Sequence, residues 1–299
     1  MFSQHILNLK NILKLLKFIL NNLKKIFFKK REVLFISSEE DLAKNINDIF
    51  SSNIIAIDTE FDWRDTYFPK LSLIQICNCK KTYLIDFLCL EKKTDLIRKF
   101  KEQDRIFIFH SVRSDTTVLY SNMNIKLQNV FDIQIAEKII SGNGIENYGS
   151  IVKKYMNLSL SKKETLSNWL KRPLTEEQIN YAANDVNFLI EIYRKQKKIL
   201  KKKNLFQKAI FESREQASLG NKEIYFSRLN KTKMNKQEKK LFMWREKIAS
   251  KKNIPISHIF KDKDIKPIIK NIKIGDSKAI SKYFSDSNLS LMLLKEFKK

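Results

Sequence analysis

Five residues in this chain have the types and spacing to do chemistry together. Asp58 and Glu60 end an apolar, largely β-branched run, Ile54 to Ile57, that reads as a buried strand. Side chains alternate along a strand, so the two carboxylates point to one face. Carboxylates that close repel one another unless a cation sits between them, and hard oxygen donors suit Mg²⁺ or Mn²⁺. Asp115 follows a short apolar strand, Arg105 to Phe109, and falls in the first turn of a helix. Tyr181 and Asp185 lie four apart on a second helix, so phenol and carboxylate share a face about one turn apart. Each feature alone also has a structural reading: solvated acids at a strand end, an acid favouring a helix N-terminus, a half-buried tyrosine beside a surface aspartate.

The elements that must position these residues follow from the pattern. Strands are predicted at Val33 to Ile36, from Ile54, at Leu71 to Cys77, at Thr82 to Asp86 and at Arg105 to Phe109. Helices are predicted from Ser38 to about Phe50 and over Glu91 to Lys101. Thr175 with Gln178 three residues later, just after Pro173, reads as a capping box opening the Tyr181 helix. Strands giving way to helices make an α/β domain with a mixed sheet.

The 299 residues leave room for two domains, and 43% apolar content supports real cores and excludes a disordered chain. The formal charge of +25 is unevenly spread: residues 1–31 carry eight basic and no acidic residues, 32–205 carry 27 against 23, and 206–299 carry 23 against 10. Basic flanks around a balanced middle suit an enzyme that handles a polyanion. The preponderance of lysine over arginine, 48 to 10, also fits a bias in base composition. Cys77, Cys79 and Cys89 fit neither a disulfide framework nor a zinc site, which points to a reducing cytoplasm. No apolar run is long enough for a transmembrane helix. Ile6, Leu9, Leu13, Leu16, Leu20, Leu23 and Phe27 recur at helical spacing among lysines, a basic amphipathic helix that would pack on the body or form a basic arm, contact a membrane surface, or serve as a targeting segment, the last disfavoured by the lack of a small-residue cleavage site and by a single arginine, Arg31.

Taken together, Asp58-x-Glu60, Asp115 and Tyr181-x-x-x-Asp185 resemble the tyrosine branch of the DEDD superfamily of 3′-to-5′ exonucleases. The segments DTEF with TYFPKLSLIQI, HSVRSD, FDIQIA around Asp132, and KKETLSNWLKRPLTEEQINYAANDV are similar to those of the ribonuclease D family, over roughly Val33 to Lys203. Ser114, Thr116 and Ile133 depart from the usual residues, and none is one of the acids. The resemblance implies a ribonuclease H-like exonuclease domain over 32–205. Residues 206–299 resemble the helicase-and-RNase-D C-terminal (HRDC) domain, a small all-α bundle, through RLN at 228–230, QEKKLFMWREKIAS at 237–250, NIP at 253–255 and KDI at 263–265. The basic run Arg194 to Lys203 would link the two.

The same resemblance implies two divalent cations. Asp58 would serve both, Glu60 and Asp185 the one on the attacking side, Asp115 the one near the leaving 3′ oxygen, and Tyr181 would orient the water. Phe61, Trp63, Tyr67 and Phe68 are candidates to stack on the terminal nucleotide, with His110, Lys163, Trp169 and Arg172 lining the groove. The implied activity is exoribonuclease, with precursor tRNA as the expected RNA and no obligate protein partner. The acids do not specify the sugar, so a DNA exonuclease and a catalytically silent RNA-binding module are the competing readings.

Overall fold

The computed structural model describes residues 31–297 except 103, 162, 163, 223 and 230–232. The amphipathic helix expected over 1–31 therefore lies, but for Arg31, outside the described residues. None of the described helices is long and apolar enough to cross a membrane.

Among the described residues six strands form one mixed sheet: β1 (Glu32–Ile36), β2 (Ile54–Asp62), β3 (Lys70–Cys77), β4 (Lys81–Asp86), β5 (Ile106–Phe109) and β6 (Val130–Asp132), in the order β1-β4-β3-β2-β5-β6. The β2/β3 and β3/β4 pairs are antiparallel and the rest parallel. The hairpin between β3 and β4 closes on Asn78, whose Oδ1 accepts from the N–H of Lys80 and of Lys81, while Cys79 takes a left-handed conformation at φ 76°. Cys79 thus stands in the turn and not on the strand with Cys77.

Both faces of the sheet are covered. Ile55, Ile57, Ile74, Ile76, Phe107 and Phe109 pack beneath α1 (Glu39–Ile49), α2 (Thr94–Lys101) and α3 (Val112–Met123). Ala56, Cys77, Ile108 and Phe131 face α4 (Ile133–Ser141), α5 (Tyr148–Met156) and α7 (Leu189–Lys202), and α6 (Glu176–Asn187) lies over Leu73 and Leu84. α2 starts three residues later than the pattern predicts. The Glu39 carboxylate accepts the N–H groups of Glu91 and Lys92 in the turn before it.

The expected boundary at 205/206 falls inside a packed unit. The basic run Arg194 to Lys203 is the second half of α7 and its end, anchored by the buried Tyr193, Gln196 and Leu200, so it is not a linker. The next helix, α8 (Phe206–Gly220), joins the exonuclease core through Ala209 and Ala217. Its closest approach to α3 requires Gly220: a Cβ there would lie 2.1 Å from Thr116 Oγ1 and 2.6 Å from the Arg113 carbonyl.

Beyond Gly220, α9 (Ile224–Leu229), α10 (Lys236–Lys252), α11 (Ile265–Ile274), α12 (Ser277–Ser281) and α13 (Ser287–Phe297) enclose a separate core including Leu241, Phe242, Trp244, Ile248 and Phe260. A capping box between Asn235 and Glu238 starts α10, and Asn253 ends it in a left-handed conformation. The β2–β3 loop plugs into this bundle. Tyr67 donates its hydroxyl to Glu246 at 2.8 Å, and Asn253 Oδ1 accepts from the N–H of Tyr67 and of Phe68 at 3.2 and 3.1 Å.

Candidate active site

β2 is a central strand, but its parallel pairing with β5 stops at Ala56 opposite Ile108. Asp58 and Glu60 lie just past that point, on a stretch still paired with β3 but open on the β5 side, and the register shifts between Glu60 and Phe61. The gap is where α3 begins. Ser111 turns the chain out of β5 with φ 66°, and the buried Asp132 carboxylate accepts from the N–H of Ser111 and Val112 while also capping α4 through Gln134. That turn brings Asp115 to β2, where Thr59 donates its hydroxyl to the Asp115 carboxylate at 2.6 Å.

From the other side, α6 starts at the Thr175/Gln178 capping box. Its small buried residues Ala182 and Ala183 pack against the sheet, and Tyr181 and Asp185 reach the cleft. Carboxylate oxygens of Asp58, Glu60 and Asp185 all lie within 4.8 Å of one another. The cleft, of about 390 Å³, is lined by these three with Thr59, His110, Asn147, Tyr148, Thr165 and Tyr181 among others.

The electrostatics of the cleft are those of a site short of positive charge. Burial pushes the Asp58 carboxyl up to about 7, eased by the backbone N–H of Thr59. Glu60 is pushed up to about 10, first by burial and then by Asp58, Asp185 and Asp115. Asp115 and Asp185 are held well above the ordinary carboxylate range by burial and then by Asp58. Among the described residues no lysine or arginine forms an ion pair with any of the four. The cluster is all oxygen and has no cationic side chain paired with it among the described residues, which fits divalent cations. Tyr181 is raised to about 12 by burial and Asp185, so it stays protonated at neutral pH; its hydroxyl lies 3.3 Å from Thr165 Oγ1. Burial holds His110 below its usual range, so the ring is neutral.

The remaining expected residues divide. His110 lines the cleft. Phe61 packs against the core on the opposite face of the sheet. Trp63 is 40% exposed and donates Nε1–H to the Tyr67 carbonyl at 2.8 Å, on the loop that meets the bundle. Three expected substrate residues are structural instead. Tyr67 is buried in the bundle core, where Glu246 takes its hydroxyl. Trp169 is 4% exposed beneath Tyr181, among Leu73, Leu84 and Leu174. Arg172 is committed to the buried Asp86, with Nη2 to Oδ1 at 2.7 Å and a second bond from Nε. Lys163 lies outside the described residues. Thr59, Asp132, Tyr148 and Thr165 are given no site role by the sequence reading. Only Asp132 carries a local signal, an aspartate two residues before the amide it caps.

The fold and the cleft define a class: α/β proteins that gather carboxylates at the end of a central strand to hold cations. A family model described as 3'-5' exonuclease matches residues 33–201, more than half of the chain, and the chain belongs to that family. It is 32% identical over 242 residues to ribonuclease D of Desulfotalea psychrophila, covering 76% of this chain and 64% of the relative. It is 27% identical over 228 residues to ribonuclease D of Haemophilus influenzae, covering 73% and 57%. The chain thus spans somewhat under two thirds of the length of these relatives. Among solved structures, Escherichia coli RNase D, described as an exoribonuclease involved in structured RNA processing, superposes with a TM-score of 0.80 at 22% identity, covering 90% of this chain and 76% of that one. Brucella melitensis NrnC with bound Mg2+ gives a TM-score of 0.56 at 20% identity, covering 68% and 96%.

Proposed function

We propose that this chain is a metal-dependent 3′-to-5′ exoribonuclease of the ribonuclease D type, releasing nucleoside 5′-monophosphates from RNA 3′ ends, with tRNA precursors as the physiological substrate. The observation that carries this reading is the meeting of Asp58, Glu60 and Asp185 within 4.8 Å, beside Tyr181 and in electrostatic contact with Asp115. Two bound divalent cations would activate a water and neutralise charge developing on the phosphate and the leaving oxygen. Asp58, central to the cluster, would contact both; Glu60 and Asp185 would hold one and Asp115 the other. Thr59 steadies the Asp115 carboxylate. Tyr181, protonated, offers a hydroxyl that orients the attacking water and does not remove its proton.

The helical bundle, which we read as an HRDC-like domain, supports the RNA assignment. A groove of about 970 Å³ between it and the β2–β3 loop is lined by the half-buried Phe68 and Tyr225 with the exposed Lys247, Lys251 and Lys295. Aromatic faces for bases among cations for phosphates suit a single strand. The test is to incubate the purified chain with Mg²⁺ or Mn²⁺ and matched end-labelled RNA and DNA oligomers, including a tRNA with a 3′ extension. Stepwise shortening of RNA from the 3′ end to 5′-monophosphates is expected. A preference for DNA, cleavage within the strand, or binding without hydrolysis would each overturn the proposal.

A further inference from the structure

In the antiparallel β2/β3 pair Gln75 stands opposite Asp58. Residues directly opposite project from the same face, with Cβ atoms about 4.5–5.5 Å apart, so the Gln75 side chain lies beside Asp58 on the side covered by α6. Gln75 is 0% exposed, and neither its Nε2 nor its Oε1 has a hydrogen-bond partner among the described residues. On that face Leu73 and Cys77 flank it along β3 and Leu84 stands opposite on β4, while the polar Thr82 and Asp86 to either side of Leu84 are committed to Asn187 Oδ1 and to Arg172. A carboxamide that could make several hydrogen bonds and makes none is costly to bury, and a methionine or leucine would fill the same space without that cost. The polar group opposite it on β2 is Asp58, whose charged form is eased by one backbone N–H alone.

We propose that Gln75 is a positioning residue for the metal centre: once cations are bound, its carboxamide N–H, which has no acceptor in this structure, donates to the Asp58 carboxylate and holds it in the orientation they require. The inference rests on the metal-dependent reading above. In the cation-bound state the Asp58 carboxylate is ionised and shared, and a fixed donor beneath it restricts how its oxygens are presented. Such outer partners of a metal ligand are commonly worth a factor of ten or more in affinity.

The experiment compares the wild-type chain with Gln75→Met and Gln75→Leu, reading Mn²⁺ affinity by electron paramagnetic resonance, melting temperature in EDTA, and kcat and KM on an RNA oligomer. Mn²⁺ affinity and kcat are each expected to fall by about tenfold, with KM unchanged and the melting temperature in EDTA unchanged or raised. Wild-type affinity and turnover in both variants would overturn the proposal. So would a loss of melting temperature in EDTA that accompanies the loss of affinity, or failure of both variants to fold, because Gln75 would then serve the fold and not the carboxylate. Asp58→Asn is the control: if the wild type binds Mn²⁺ no better than this variant, it is the reading of the cleft that fails, and not the role of Gln75.

Discussion

Two groups of acids in this molecule make a useful comparison. Asp86 and Glu246 are 1% and 2% exposed, and each has its cation built in: Asp86 is held by Arg172, and Glu246 by Arg228 with the Tyr67 hydroxyl. Asp58, Glu60 and Asp185 are half-buried and gather within 4.8 Å of one another, Asp115 is buried nearby, and among the described residues none of the four has such a partner. Burying a charge is tolerable only when it is paired, so the first group belongs to the architecture. The second carries an unfavourable arrangement that protons or external cations must relieve. Acids left without a cation in one cleft while Asp86 and Glu246 have arginine partners mark that cleft as the place where ligand binding does work.

The contrast can be broken at several points. The largest effect is expected for Asp58→Asn, which should lower turnover on the order of 10³-fold or more while leaving the metal-free fold intact or more stable; retained activity would remove the cleft from the mechanism. Arg172→Ala should strand Asp86 in the interior and cost about 3–5 kcal/mol in urea unfolding, without a comparable change in Mn²⁺ affinity. A cost near zero would erase the distinction between the two groups. Tyr181→Phe should reduce kcat by roughly 10²-fold with Mn²⁺ affinity nearly unchanged, and parallel loss of both would make the phenol a structural support.

A smaller effect sharpens the comparison through pH. The cleft acids have folded pKa values above their ordinary ones, Asp58 at about 7 and Glu60 at about 10, so between pH 4 and those values the folded chain holds more protons than the unfolded chain. Their stabilising contribution is complete below the ordinary carboxylate range and is lost as pH rises through 7 toward 10. In EDTA the melting temperature should therefore fall by a few degrees from about pH 5 to about pH 8; Mg²⁺ should reduce the fall by replacing the protons, and Asp58→Asn should flatten it. Smallest is Tyr67→Phe, which removes one hydroxyl bond to Glu246 and should cost about 1 kcal/mol of stability, with activity on a short oligomer preserved.

The amino-acid sequence by itself determined the strand that carries Asp58 and Glu60, the helix that carries Tyr181 and Asp185, and the cap that starts that helix. These depend on periods of two and 3.6 and on side chains reaching amides two or three residues away, all of which are local. Only the tertiary structure decided that Thr59 meets Asp115, that Gln75 stands opposite Asp58, that α8 belongs with the sheet, and that Tyr67, Trp169 and Arg172 serve the core and its interfaces instead of the cleft. Those outcomes depend on strand order, on where β5 stops pairing with β2, and on partners 16 to 186 positions apart in the chain, such as Thr165 with Tyr181 and Tyr67 with Asn253. Composition and periodicity carry no record of which distant residue will supply the partner of a buried polar group.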